Sequence, residues 1–294
     1  MTLMASDQLA RAMEARASWM IDSYRNLTIG GASNPNGADG QKFGWADVLA
    51  RLHRNPNDPV PIKRFVNLFR YPNLLNRSFM PAGAGWILTK YWDKFTPEER
   101  SRIIFPGIKS IRNILDHGSE NTFLVKHVGA HLFAQLWPQE KAWYDSRQRK
   151  NITSTELNAI AKQRLLNVLR SYYSKGYHDH LSPHYLSVHL YALHALYSST
   201  RDAELKAAAS AALTFHAADL AANYFQGATI APYNRPATSP IVEAQSNRKL
   251  NTNIKGLYWL YWAESMNTPS TTTASFAGHG PSAGARDESK HFAV

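Results

Sequence analysis

The chain has 294 residues, a net charge of +11, 8 Trp, 14 Tyr and no cysteine. That length allows a large core and one or two domains, and the absence of cysteine excludes disulfides and thiolate metal sites. No apolar run approaches the roughly 18 residues of a membrane span, and the basic residues are spread out rather than gathered into a dense block, so neither a membrane nor a nucleic acid is an expected partner. The positive excess suits a polyanionic partner, of which an acidic polysaccharide then remains, and equally a protein that is simply basic, and the many aromatic residues suit sugar-ring stacking as well as core filling.

Leu9, Ala12, Met13, Trp19 and Met20 recur at helical spacing and predict a first helix over 5–25. Its opening carries Asp7 and Glu14 and lacks the charged start and unbroken apolar core of a signal peptide. As it stands, the chain is expected to be cytoplasmic, or a mature or partial sequence. A Gly/Asn/Pro-rich loop follows over 28–41. Then come a short helix over 43–53 (Trp45, Val48, Leu49, Leu52), a loop with three prolines over 54–61 and a short helix or turn over 62–69. Residues 83–95 predict a helix with Trp86, Ile87, Leu88, Tyr91 and Trp92. Thr96-Pro97-Glu98-Glu99 starts the next, with Thr as N-cap, Pro at the first position and Glu three after the cap. That helix runs towards Leu115, with a bend expected at Pro106-Gly107.

Residues 116–137 read as one helix that is apolar on most of its circumference and therefore buried. Glu120, His127, His131 and Gln135 nevertheless fall on one narrow stripe, with Asn121 at its edge. A polar stripe on a buried helix must face other polar groups, water or a ligand. His127 and His131 are four residues apart, as zinc ligands on a helix can be. With no His-Glu-x-x-His pattern around them they read as core histidines, and no metal or other cofactor is expected.

A second capping box, Thr153 to Glu156, opens a helix to about Tyr173. Gly176–Leu181 is a polar turn, and Ser182-Pro183 starts a helix over 183–197. Asp202 caps an Ala-rich helix stopped by Gly227. A proline-rich loop over 228–240 leads to a last helix over 247–264. From Asn267 the Thr/Ser/Gly/Ala-rich sequence predicts a disordered tail. About ten helices and no alternating strand pattern make the chain all-α, with one helical domain over 1–267 and a low-complexity tail over 268–294. Periodicity alone does not separate a ring of hairpins from a bundle or a solenoid.

Two segments carry candidate chemistry. The first is Ser119-Glu120-Asn121, at the start of the buried helix. The second is Gly176-Tyr177-His178-Asp179-His180-Leu181-Ser182-Pro183-His184-Tyr185. Tyr185 falls in the first turn of its helix, where the positive end of the helix dipole favours a phenolate. His189 follows one turn later, and His178, His180 and His184 crowd the turn before it. Each has a plainer reading. Glu120 and Asn121 suit a helix start, Tyr185 a packed tyrosine, and Arg235, between Asn234 and Pro236, a loop residue holding a carbonyl.

In their order these segments resemble those of bacterial polysaccharide-lyase-like proteins with an (α/α) toroid, the heparinase-, alginate-lyase- and chondroitin-lyase-like family. The shared features are Ser119-Glu120-Asn121 followed by Ala134-Gln135, then Gly176-Tyr177 with Ser182-Pro183-x-Tyr185, the helix from Asp202 to Gly227, and Arg235. The resemblance spans about residues 43–262. It implies a toroid-like incomplete barrel, secretion or a periplasmic location, and β-elimination on an acidic, uronate-containing polysaccharide. In that chemistry a neutraliser acidifies the C5 proton, a base removes it, and an acid protonates the leaving oxygen. Asn121 would be the neutraliser and Tyr185 the base, the acid or both. His178 or His180 would assist, and Arg235 would bind the carboxylate. Glu120, His184, His189 and Asn234 would line the substrate.

Two departures stand out. Thr122 occupies the position of the family's His, and the family's further helices and β-sandwich have no counterpart, so a truncated, minimal or inactive member is expected. The rivals are a glycoside hydrolase on the same toroid, with Glu120 and Asp179 as its carboxylates, and a non-catalytic polyanion- or sugar-binding toroid.

Overall fold

The computed structural model describes residues 6–26, 45–69, 80–110, 114–115, 118–145, 148–176, 186–225 and 228–229. Among these lie nine α-helices: α1 (Ser6–Asn26), α2 (Trp45–Arg54), α3 (Pro59–Leu68), α4 (Met80–Tyr91), α5 (Pro97–Ser110), α6 (Glu120–Leu136), α7 (Ser154–Lys175), α8 (Leu186–Ser199) and α9 (Ala203–Ala222). The all-α expectation holds for the described residues. The helix predicted over 247–264 and the tail lie outside them.

The helix boundaries follow from local chemistry. The Asp58 carboxylate accepts the Val60 amide and Pro59 takes the first position, so α3 begins three residues before the apolar spacing suggests. At α5, Glu99 N–H donates to Thr96 Oγ1 (3.2 Å) and Thr96 N–H donates to Glu99 Oε2 (2.9 Å), closing the expected capping box. Thr153 and Glu156 close the second one at α7. Gly176 ends α7 at φ +70°, a left-handed conformation that costs glycine little. The buried helix starts later than its apolar pattern suggests. Ile114-Leu115 form a turn, and α6 begins at Glu120 with Ser119 as N-cap.

Two short antiparallel pairings depart from the strandless expectation, β1 (Trp143–Asp145) with β2 (Lys150–Ile152) and β3 (Tyr224–Phe225) with β4 (Ala228–Thr229). Strands of two or three residues are too short to show an alternating pattern. The first hairpin seals the corner between α6 and α7. Trp143 Nε1 donates to Ser154 Oγ (2.7 Å), which donates to the Trp137 carbonyl (2.5 Å). Trp137 stacks on Phe133 at 5.5 Å and on Trp143 at 6.1 Å.

The core is built around α6, which packs on α4, α7 and α8; α4 and α8 also touch each other, and α9 lies over α7 and α8. On the far side of α4 sits α2, which in turn carries α1 and α3. This arrangement depends on small residues. A Cβ on Gly129 of α6 would come within 2.4 Å of Pro81 Cβ and 2.7 Å of the Pro81 backbone carbon. One on Gly83 of α4 would strike the Trp45 ring at 2.2 Å. The Met80-Pro81-Ala82-Gly83-Ala84-Gly85 run, buried throughout, lets α6 and α2 approach α4 from opposite sides.

Ion pairs link the outer helices. Asp47, fully buried on α2, takes Arg64 Nη1 of α3 at 2.9 Å and Arg51 Nε at 3.6 Å. Burial still pushes its carboxyl above the usual range, against the pull of the two guanidinium groups. Arg54 Nε donates to Asp22 Oδ1 at 2.9 Å and so ties α2 to α1.

Alanine at an ordinary helical glycine gains about 1 kcal/mol. Gly129→Ala should reverse that sign and cost about 2 kcal/mol, because the new methyl meets backbone rather than a movable side chain. Gly176→Ala has open space around it but should still lose about 2 kcal/mol, because φ +70° with ψ −176° is a pairing essentially reserved to glycine. Urea unfolding of the two variants measures both values.

Candidate functional site

The polar stripe of α6 faces protein. His127 Nδ1–H donates to the Phe123 carbonyl (2.7 Å), and Nε2 accepts from Arg164 Nη1 of α7 (3.1 Å). Arg164 donates in turn to the Leu115 carbonyl (2.9 Å). His131 Nδ1–H donates to Asn158 Oδ1 of α7 (2.6 Å), and its Nε2 accepts from the Thr200 hydroxyl (2.7 Å). The Thr200 oxygen meanwhile accepts the Asp202 amide at 3.0 Å. Gln135 donates to the Ser199 carbonyl (2.9 Å) and accepts the Arg201 amide (2.7 Å). Both histidines are thus neutral Nδ1–H tautomers with both ring nitrogens engaged, which agrees with their reading as core residues. Lys162 of α7 adds an ion pair to Asp202 at 2.6 Å.

These contacts fix helix directions. His131 meets Asn158 and His127 meets Arg164, so α7 runs antiparallel to α6. The C-terminal ends of α6 and α8 meet at Gln135 and Ser199. Asn121 lies about 15 Å up α6 from His131, Leu186 about 20 Å up α8 from Ser199, and Gly176 about 18 Å along α7 from Arg164. The start of α6, the end of α7 and the start of α8 therefore share one end of the bundle. Contact between Tyr172, in the last turn of α7, and His189, in the first turns of α8, brackets the same end independently.

At that end Asn121 is buried and held by hydroxyls. Its Oδ1 accepts from Ser119 Oγ at 3.1 Å and from Thr122 Oγ1 at 3.2 Å, and the two hydroxyls lie 3.1 Å apart. Thr122, the departure from the family pattern, thus helps to orient the amide. Glu120 is half-buried in the first turn. His189 is fully buried, stacked on Tyr172 at 6.1 Å and edge-on to His216 at 5.9 Å. It stands behind the surface at this end rather than on it. His178, Asp179, His180, His184, Tyr185, Asn234 and Arg235 lie outside the described residues.

Tyr172 and His216 were missed by sequence reasoning, and both gave a signal. Tyr172 extends the inner stripe of Leu165 and Leu169 by three residues, which marks it as buried. His216 is the lone imidazole of an Ala-rich helix. Together with His189 they form a buried ring cluster contributed by α7, α8 and α9, with Tyr172 and His216 centroids 5.5 Å apart. No group of three or more metal-ligating His, Cys, Asp or Glu side chains occurs among the described residues.

The chain matches no protein-family model, no curated protein and no solved structure.

Burial pushes His127 down to about 4, with the Arg164 and Lys126 charges adding to the effect, and pushes His216 down to about 3, helped by His189. His131 and His194 move the same way, also through burial. The unfolded chain therefore binds more protons than the native state below the ordinary histidine value of 6.5. Stability should be fully present above pH 6.5 and fall as the pH drops towards 4, with about 3 kcal/mol lost through His127 alone. Asp47, whose carboxyl is raised, works in the opposite sense. Urea titrations at pH 7.5, 5.5 and 4.5 check the slope, and a flat profile would contradict it.

Proposed function

We propose that this chain is a polysaccharide lyase of the (α/α)-toroid type that cleaves a uronate-containing polymer by β-elimination. The observation that carries the reading is topological. Gly176 and Leu186, which flank the Tyr185-bearing segment, lie at the bundle end where Asn121 sits. The described residues that border the second candidate segment in sequence thus share an end with the first, which supports reading the two together.

The chemistry suits the parts. Two hydroxyls on Asn121 Oδ1 hold its amide in one orientation, and an amide is a group that can neutralise the C5 carboxylate. Tyr185 removes the C5 proton; the electron pair forms the C4–C5 double bond as the C4–O4 bond breaks, and a proton passes to the leaving oxygen. His178, His180 and Arg235 assist, and the net charge of +11 favours encounter with a polyanion.

A second reading, a non-catalytic polyanion-binding toroid, is favoured by Thr122 alone. Its side chain is engaged with Ser119 and Asn121, and threonine cannot serve as the imidazole acid or base that the family carries there.

Incubation with alginate, glucuronan and chondroitin chains should raise absorbance near about 235 nm as the unsaturated product forms. Tyr185→Phe should lower turnover by about 100-fold or more while the fold is retained. Absence of any signal from the folded protein on all three polymers would remove the lyase reading. Turnover unchanged in Tyr185→Phe would remove that tyrosine's role.

A further inference from the structure

The outer face of α7 has a composition unlike the other described helices. Gln163, Asn167, Arg170, Tyr173, Ser174 and Lys175 are exposed along its last three turns, a stretch of about 18 Å. The only acidic residue on α7 is Glu156, at the far end, where it is consumed in the capping box. Tyr173 is 50% exposed, and its ring is braced edge-on by Phe215 of α9 at 5.9 Å. Glu204 of α9 lies 3.3 Å from Arg170 and is also paired with Lys162 at 3.1 Å. The face therefore offers amide and hydroxyl groups, a propped aromatic ring and the cations Arg170 and Lys175, and it ends at Gly176.

We infer that the α7 face from Gln163 to Lys175, centred on Tyr173, is a binding surface for an acidic polysaccharide. It would hold sugar residues of the chain remote from the reacting bond. An exposed aromatic ring fixed by a second ring offers a flat apolar platform at little entropic cost, which suits the apolar face of a sugar ring. The side-chain amides bond hydroxyls, and Arg170 and Lys175 meet carboxylates or sulfates. A protein or nucleic-acid partner is less well matched, because the face has a single aromatic residue and no contiguous apolar patch or basic cluster. The inference deepens the lyase reading by naming where the rest of the chain lies, and its test is a binding measurement, separable from turnover.

The full-length protein is run through native gels containing alginate, glucuronan or chondroitin sulfate, and the dissociation constant is taken from the retardation. The polymer that retards the wild type most is then used with three variants. Tyr173→Ala, which leaves charge unchanged, should weaken binding roughly fivefold, while Tyr173→Phe keeps it. Tyr197→Ala is the control, since that tyrosine is also exposed (40%) but lies near the end of α8 remote from Gly176. It should leave retardation unaltered. Tyr173→Ala binding as the wild type does, an equal loss in Tyr197→Ala, or no retardation of the wild type by any of the three polymers would each overturn the inference. Retardation that depends on Tyr173 without unsaturated product would overturn the lyase reading and leave this surface standing. Product formation with Tyr173-independent retardation would do the reverse.

Discussion

The hydrogen bonds made by one stripe of α6 are what the rest of the bundle depends on. His127, His131 and Gln135 sit on a helix otherwise surrounded by apolar side chains, where an unpaired polar group costs a few kcal/mol. That penalty makes their partners obligatory. Arg164 and Asn158 of α7 must align antiparallel to α6, and the Ser199–Arg201 corner must lie against its C-terminal end. Apolar packing on this helix is non-directional and would tolerate other registers. The stripe selects one. The glycine contacts add a second constraint from the opposite side, since Gly129 against Pro81 fixes how closely α4 approaches.

One consequence is functional. A stripe with every member engaged in holding neighbours has no side chain left for a ligand along its middle. The start of α6 lies apart from that clamp: there Asn121 is oriented by the Ser119 and Thr122 hydroxyls, at the end where α7 stops and α8 begins. The same end carries the buried Tyr172, His189 and His216 rings and borders the exposed face of α7. Burial pushes the His216 imidazole down to about 3, which leaves it neutral near pH 7.

What was legible in the sequence was what local chemistry determines. Capping boxes at Thr96 and Thr153 and the Asp202 cap fixed helix starts to the residue. The stripe on α6 was legible as a stripe because four side chains share one face, but its partners were not. Asn158, Arg164 and Thr200 are 27 to 69 positions away, and no periodicity encodes a pairing at that distance. The helix that opens at Thr96 reads as running on to Leu115 because Ile114 and Leu115 are apolar and buried, and composition cannot distinguish a buried turn from a buried helix. The two short hairpins escaped for lack of length. His189 was legible as a member of the Tyr185 segment, whereas its burial against α7 and α9 depends on tertiary packing.

The central claim, that the α6 stripe is a clamp rather than a site, rests most heavily on His131. A double-mutant cycle between His131→Ala and Asn158→Ala, read by urea unfolding, tests it directly. The account predicts that the two losses are strongly non-additive, with a coupling of about 1 kcal/mol or more, since the pair shares a 2.6 Å hydrogen bond inside the bundle. Losses that add to within about 0.3 kcal/mol would contradict it.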